Sequence, residues 1–321
     1  MPTHVIEARD LVKNYGEVTA LHGLSIAVAP GTVFGLLGPN GAGKSTTVKI
    51  LTTLTRPDTG SAEVAGIDVL RKPDAVRRAI GCVAQKPGFD PEATGRENLM
   101  LQGRLHGLRN LKARCAELLD RFDLTEAADR LARTYSGGMR RKLDLAIGLV
   151  HRPRVLFLDE PTTGLDPQAR AELWSEIGRL AVDEGVTVLL TTHYLEEADR
   201  LASQLAIVDH GRVVATGSPE QLKSSLRGDT ITVELTDEPV EMIVTDALSR
   251  VAGITGIGID GRTVRARAES GSAALPAVLA ALDTAGVPVG SATVARPSLD
   301  DVYLRHAGRA FRALEEQELV P

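Results

Sequence analysis

Apolar positions along the first two thirds of the chain fall into two alternating patterns. Short, nearly unbroken runs at residues 32–37 (TVFGLL), 155–158 (VLFL) and 186–190 (VTVLL) have the length of strands buried on both faces. Between them lie longer segments at residues 44–54, 108–122, 137–150 and 167–183, which read as helices. The opening residues give strand-like pieces at 5–8, 11–15 and 23–28, followed by a Pro30-Gly31 turn. Strands alternating with helices imply an α/β domain with a parallel core. The mostly helical stretch from about residue 91 to residue 150 interrupts that alternation, so it reads as a helical subdomain inserted into the core.

Near Gly228-Asp229 the order changes, which divides the chain into residues 1–227 and 228–321. Strands are expected at 230–235, 254–259, 263–268 and 287–295, with helices at 240–251 and 273–285. That βαββαβ order fits a small ferredoxin-like α+β domain. Residues 297–305 and 309–318 read as terminal helices.

Composition narrows the classes. The 321 residues are 43% hydrophobic and 25% charged, with a net charge of −5, an ordinary globular balance that argues against a dedicated nucleic-acid binder. Cys82 and Cys115 stand far apart and outside any metal-ligand spacing, so reduced, structural thiols are expected. The first residues lack the basic start and apolar centre of a signal peptide. No apolar run approaches the ~20 residues that span a bilayer, so any membrane role is expected to come through a partner.

The chemistry begins at Gly38-Pro39-Asn40-Gly41-Ala42-Gly43-Lys44-Ser45, a G-x-x-x-x-G-K-[ST] phosphate loop between a strand and a helix. Its glycines let backbone N–H groups turn toward phosphate oxygens, and the following helix presents its positive end to the same charge. Lys44 can reach the β- and γ-phosphates, and the Ser45 hydroxyl can ligate Mg²⁺. Asp159 and Glu160 follow the run at 155–158, at the carboxyl end of a strand where α/β proteins gather ligands. Asp159 can hold Mg²⁺ directly or through water, and Glu160 can orient or deprotonate an attacking water. In isolation the two would read as solvated strand-end acids; beside a phosphate loop they read as a site.

The ordered set residues 38–46, Gln85, Ser136-Gly137-Gly138-Met139-Arg140, residues 158–166 and His193 resembles the Walker A, Q-loop, signature, Walker B/D-loop and H-loop motifs of ATP-binding cassette (ABC) ATPases. The stretches YSGGMRR, EPTTGLDP and the ending PSLDDVYL are similar to the daunorubicin/doxorubicin-resistance drug exporters. Met139 stands where the wider superfamily carries glutamine, in agreement with that subgroup.

The resemblance implies a P-loop ATPase that hydrolyses ATP with Mg²⁺ on the cytoplasmic face of the membrane. It also implies a separate ABC-2-type permease, and a second copy of the chain so that two ATP molecules are sandwiched. Gly38 to Thr46 would hold phosphate; Ser136, Gly137 and Gly138 would grip the γ-phosphate held by the other copy, although Ser136 also reads as an ordinary helix N-cap. Gln85 would touch Mg²⁺ or water, and His193 would bond the γ-phosphate and support Glu160. Tyr15 would stack on adenine, where its plainer reading is a core aromatic. Asp166 would communicate across the dimer seam while capping the helix that starts at Pro167. The run Arg140-Arg141-Lys142 reads as a solvated helix face, with phosphate or partner binding as the lesser alternative.

Two rivals remain at this stage. A ribosome- or DNA-acting cassette protein would carry two cassettes or long coiled coils, and neither is seen here. A non-hydrolysing nucleotide sensor is disfavoured by the presence of both Glu160 and His193. No catalytic constellation is visible after Gly228, where a regulatory or dimer-stabilising module is expected. The cargo is not specified.

Overall fold

The structure is a computed structural model that describes residues 4–226 and 228–307 and divides into two units, Met1–Pro219 and Glu220–Pro321. The helix expected at 309–318 lies outside the described residues.

The first unit opens with β1 (Ile6–Tyr15), β2 (Val18–Val28), β3 (Val33–Leu37), α1 (Lys44–Leu51), β4 (Thr59–Val64) and β5 (Ile67–Asp68). Next come α2 (Pro73–Ala79), β6 (Ile80–Val83), α3 (Gly95–Leu105), α4 (Leu111–Arg121) and α5 (Gly137–Leu149). It closes with β7 (Val155–Asp159), α6 (Pro167–Val182), β8 (Thr187–Thr192), α7 (Leu195–Leu201), β9 (Gln204–Asp209) and β10 (Arg212–Gly217).

Six strands form the central sheet in the order β10-β9-β3-β8-β7-β6. All neighbours from β9 to β6 run parallel, and only β10 is antiparallel. The carboxyl ends of β3, β8, β7 and β6 therefore face the same way, which is what brings distant motifs together. Strand β7 shows why its sequence is apolar from Val155 to Leu158. Leu156 and Leu158 point into a core shared with Leu99, Leu118, Leu143 and Leu145 of the helical side. Val155 and Phe157 point into a second core with Phe34, Ile50, Leu51 and the antiparallel sheet. Each such fully buried side chain is worth about 1.5–3 kcal/mol relative to exposure.

The second sheet, β2-β1-β4-β5, is antiparallel. The two pieces expected at 5–8 and 11–15 are one strand whose register shifts between Ala8 and Leu11, with Asp10 at φ 49°. That bulge is what breaks the alternation in the sequence. Helix α1 stops at Leu51 rather than Leu54: the Thr52 hydroxyl bonds back to Val48 O at 2.7 Å, Thr53 turns to φ 65°, and Leu54 is left exposed. Helix α3 opens with a capping box in which the Thr94 side chain and Glu97 satisfy each other's backbone N–H groups.

The second unit takes up α8 (Pro219–Ser225) from its second residue. It continues with β11 (Asp229–Leu235), α9 (Glu241–Ser249), β12 (Ile254–Asp260), β13 (Thr263–Ala268), α10 (Gly271–Thr284), β14 (Val289–Ala295) and α11 (Leu299–Ala307). Its antiparallel sheet has the order β12-β13-β11-β14, the arrangement expected for a βαββαβ sandwich. Ile231, Val233 and Leu235 of β11 pack with Val264, Val244, Leu248, Val278 and Leu282 into a core of its own.

Candidate functional site

The loop after β3 is shaped by what cannot fit there. A Cβ on Gly38 would collide with Val208 O, and Gly43 adopts φ 103°, with Ala20 O and a Leu21 methyl each 2.7 Å from where a Cβ would lie. Gly41 sits at φ 73° facing open space. Gly38 N donates to Thr192 O at 3.3 Å, and Ala42 N to Pro39 O at 3.2 Å, which pins both ends of the loop. Gly43 is the N-cap of α1 and offers no side chain to the first-turn N–H groups, so the helix end is available to an outside acceptor. Asn40 is exposed; Thr46 is half-buried on the first turn of α1.

Lys44 is buried, and its Nζ donates to Gly38 O at 2.6 Å and Pro39 O at 3.0 Å. It also lies 3.6 Å from Glu160 Oε1. Ser45 Oγ donates to Asp159 Oδ1 at 3.1 Å, and the same oxygen accepts from Thr191 Oγ1 at 2.6 Å. Parallel pairing explains the second contact, because Asp159 is the register partner of Thr191. Glu160 N donates to both Thr191 O, at 3.2 Å, and Thr191 Oγ1, at 3.0 Å.

Glu160 Oε2 accepts from Gln85 Nε2 at 3.3 Å, with Thr163 Oγ1 at 3.5 Å. His193 Nδ1 is 3.2 Å from Glu160 Oε1, off the line of a good hydrogen bond. The His193 ring first, and then the Lys44 ammonium, hold the Glu160 carboxyl below its usual range, against the opposing push of burial. Lys44, Ser45, Gln85, Asp159, Glu160 and His193, read from four separate segments, thus form one cluster.

The other expected residues lie elsewhere. Tyr15 ends β1 and is 47% exposed, with the Lys13 ammonium 5.4 Å from its ring centroid. The ribbon it belongs to passes against Gly43 through Ala20, which places an exposed aromatic on the element beside the loop. Ser136 caps α5, its Oγ accepting from Met139 N at 3.2 Å. Ser136 and Gly137 are exposed and Gly138 is half-buried. The Ser136 hydrogen bonds stay within its own helical turn, so one chain does not join them to the Lys44 cluster. Asp166 caps α6, accepting from Ala169 N at 3.0 Å ahead of Pro167.

One expectation is corrected. Of the run taken as a solvated face, Arg140 is exposed and Lys142 is half-buried between Asp123 and Glu172, but Arg141 is only 8% exposed. Its guanidinium donates to four backbone carbonyls under the site. Sequence reading also missed Thr191, Thr162 and Glu197. Glu197 Oε1, fully buried, accepts from Thr162 Oγ1 at 2.8 Å and Trp174 Nε1 at 3.0 Å. Thr191, beyond the apolar run of β8 (TVLLTT) and in register with Asp159, was the one available signal. Both cysteines are free thiols, Cys82 exposed and Cys115 buried. Among the described residues, no helix is long and apolar enough to cross a membrane.

Known proteins resemble both parts of the chain. Residues 21–163 match the ABC transporter family, and residues 217–307 match the C-terminal domain of ATP-binding proteins DrrA1-3-like. The daunorubicin resistance ATP-binding protein DrrA3 of Streptomyces coeruleorubidus is 49% identical over 305 residues, 94% of this chain and 96% of that protein. The daunorubicin/doxorubicin resistance ATP-binding protein DrrA of Streptomyces peucetius is 47% identical over 310 residues, 96% of this chain and 93% of that protein. A solved ATP-binding subunit of an ABC transporter superposes with a TM-score of 0.63 at 30% identity, covering 69% of this chain and 92% of that one. A dimeric, post-hydrolysis cassette bound to ADP and Pi shares the fold, with a TM-score of 0.61 at 24% identity over 66% of this chain and 98% of its own. With its phosphate loop, paired strand-end carboxylates and near full-length similarity, the chain belongs to the ATP-binding subunits of ABC transporters, in the daunorubicin/doxorubicin-resistance branch, and is an ATPase.

Proposed function

We propose that this ATPase drives efflux of a drug, antibiotic or lipid-like molecule through a separate ABC-2-type permease, working at the cytoplasmic face of the membrane. The observation that carries the reading is the convergence of Lys44, Ser45, Gln85, Asp159, Glu160 and His193 at the strand ends, while Ser136 stays apart and exposed. Residues 1–227 would be the ATPase domain, with the helical subdomain at about 91–150, and residues 228–321 an accessory domain.

The substrate ATP would lie with its phosphates on the Gly38–Ser45 loop, where Cβ-free positions and the uncapped start of α1 give N–H groups an anion to meet. Gly38, Pro39, Asn40, Gly41, Ala42, Gly43 and Thr46 would shape that cradle, and Tyr15 would stack on the base. The donor set also fits Mg²⁺, a hard cation that takes oxygen ligands: Ser45 Oγ and Asp159 Oδ1 are already paired, with Gln85 nearby. When bound there, Mg²⁺ would neutralise charge on the phosphate oxygens.

Glu160, kept ionised by His193 and Lys44, would orient the attacking water and take its proton. Lys44 would shift its donors from carbonyls to phosphate, and His193 would bond the γ-phosphate while steadying Glu160. Ser136, Gly137 and Gly138 would complete the site of a second copy, with Asp166 at the seam. Their separation from their own chain's cluster supports a two-copy site.

The test is Glu160→Gln in the full-length protein. ATP binding, followed with a fluorescent ATP analogue, should persist while turnover falls by at least about 100-fold, the range general-base loss produces. Light scattering should find an ATP-dependent dimer of this variant. Near-normal hydrolysis would remove Glu160 from the role of base, and a monomer at saturating ATP would refute the two-copy site.

A further inference from the structure

One turn beyond Ser136, helix α5 carries an arginine that the chemistry above does not use. Arg141 reaches under the end of β7, where Nε donates to Pro161 O at 2.7 Å. One terminal nitrogen donates to Ala84 O at 2.7 Å, and the other reaches Asp159 O at 3.2 Å and Glu160 O at 3.3 Å. A buried guanidinium is costly unless its donors are satisfied, and here every donor nitrogen is spent on main chain rather than on a carboxylate. The nearest carboxylate oxygen, Asp144 Oδ2, is 3.8 Å away, which is outside hydrogen-bond reach.

The carbonyls it holds are not arbitrary. Glu160 sits at φ 49°, in the left-handed region that is strained for a residue with a Cβ and persists only where the surroundings over-determine it. Thr191 holds its N–H from one side, and Arg141 holds the carbonyls of residues 159, 160 and 161 from the other. Ala84 is the residue before Gln85, so the same guanidinium grips the start of that loop. Further along that loop, Gly88 N donates to Asp144 Oδ1 at 2.9 Å, three residues on from Arg141 in the same helix. A single turn of the signature helix thus clamps the backbone that carries both Gln85 and Glu160, whose side chains meet at 3.3 Å.

We propose that Arg141, with Asp144, is a positioning residue for hydrolysis: it fixes Glu160 and Gln85 relative to the Ser136 turn, so that a shift of that turn is transmitted to the carboxylate. The inference rests on the reading of Glu160 as the base. A planar fork can bond three separate carbonyl directions at once, whereas a lysine ammonium at the same place is a point donor.

The molecule supplies a matched control. Arg114 of α4 also donates to carbonyls, Leu149 O at 2.7 Å and Val150 O at 3.2 Å, at the opposite end of α5, with its other terminal nitrogen on Glu117 Oε1 at 2.6 Å. Full-length wild type, Arg141→Lys, Asp144→Asn, Arg114→Lys and Glu160→Gln would be compared for KM, for kcat per molecule competent to bind a fluorescent ATP analogue, and for melting temperature. Arg141→Lys should lower that kcat at least about ten-fold with KM within about two-fold of wild type. Asp144→Asn should lower it about three-fold. Arg114→Lys should lose melting temperature and keep wild-type kcat per competent molecule.

A wild-type kcat per competent molecule in Arg141→Lys, or a loss no larger than that of Arg114→Lys, overturns the proposal. If Arg141→Lys does not fold, wild-type turnover in Asp144→Asn does the same. Glu160→Gln separates the two readings. If it hydrolyses ATP normally, the base assignment fails and the inference with it. If it is inactive while Arg141→Lys is normal, only the role of Arg141 falls.

Discussion

Replacing Glu197 by alanine should damage the first unit more than its distance from the phosphate loop suggests. The carboxylate is fully buried, and one oxygen takes both the Thr162 hydroxyl, at 2.8 Å, and the Trp174 indole N–H, at 3.0 Å. Its second oxygen has no hydrogen-bond partner among the described residues. Thr162 lies two residues past Glu160 and Trp174 is on α6, so the group ties α7 to the segment after β7 and to the helix behind it. Hydrogen bonds to a charged group are each worth about 1.5–3 kcal/mol. The truncation leaves the indole donor buried and unsatisfied, at about 1–3 kcal/mol, while the hydroxyl can rotate toward another acceptor.

Relief of the buried charge opposes this, so a net loss of about 3 kcal/mol is expected. For a unit of this size that lowers the melting temperature by roughly 6–12 °C. Glu197→Gln keeps an acceptor for both donors and places its amide nitrogen where the unpartnered oxygen was, so it should cost about 1 kcal/mol. Trp174 is the chain's single tryptophan, with the Arg200 guanidinium 5.2 Å from its ring, so its emission reports directly on this contact. Thermal denaturation followed by tryptophan fluorescence would compare the two variants. Equal losses in Ala and Gln, or no shift in either, would refute the assignment of the stability to these two hydrogen bonds.

Two further predictions concern the loop and the acid stability of the fold. Gly38→Ala should reduce ATP affinity at least about ten-fold, because its Cβ must displace the Val208 carbonyl, whereas Gly41→Ala, which faces open space and bears only the strain of φ 73°, should cost less. Equal affinities for the two variants in an ATP-analogue titration would contradict this account of the loop. His151 stacks on His106 with ring centroids 3.8 Å apart, and burial together with that neighbour pushes its pKa down to about 4. Above about pH 6.5 both folded and unfolded chains hold it neutral; below that the unfolded chain gains a proton that the folded chain resists, so stability is lost as pH falls toward 4. The loss is at most about 3 kcal/mol, less whatever solvent screens. Urea denaturation at pH 7 and pH 4.5 should show a smaller acid loss in His151→Gln, and an unchanged acid limb would exclude His151 as its source.

What could be read in the chain depended on whether a residue's surroundings were local. The buried strands β3 and β7 are apolar at almost every position because both their faces are covered, and that is written in five consecutive residues. The phosphate loop is equally legible, since its glycines, Lys44 and Ser45 fall at fixed spacing within eight positions, although the atoms that crowd Gly38 and Gly43 belong to the distant Val208, Ala20 and Leu21. Strand β4, TGSAEV, was invisible by contrast: its first three residues are exposed, and only Ala62 and Val64 face the core. The same limit decided which charges were understood. Arg140, Arg141 and Lys142 are indistinguishable by charge and propensity, yet Arg141 alone turns inward. Glu196 and Glu197 differ in the same way, one exposed and one without exposure. In both cases the deciding partners are main-chain carbonyls or side chains 18 to 57 residues away. A backbone carbonyl leaves no mark in sequence, because every residue has one. A charged side chain that serves only carbonyls is therefore the kind of functional group that pattern reading will pass over, and Arg141 under the Glu160 turn is an instance of it.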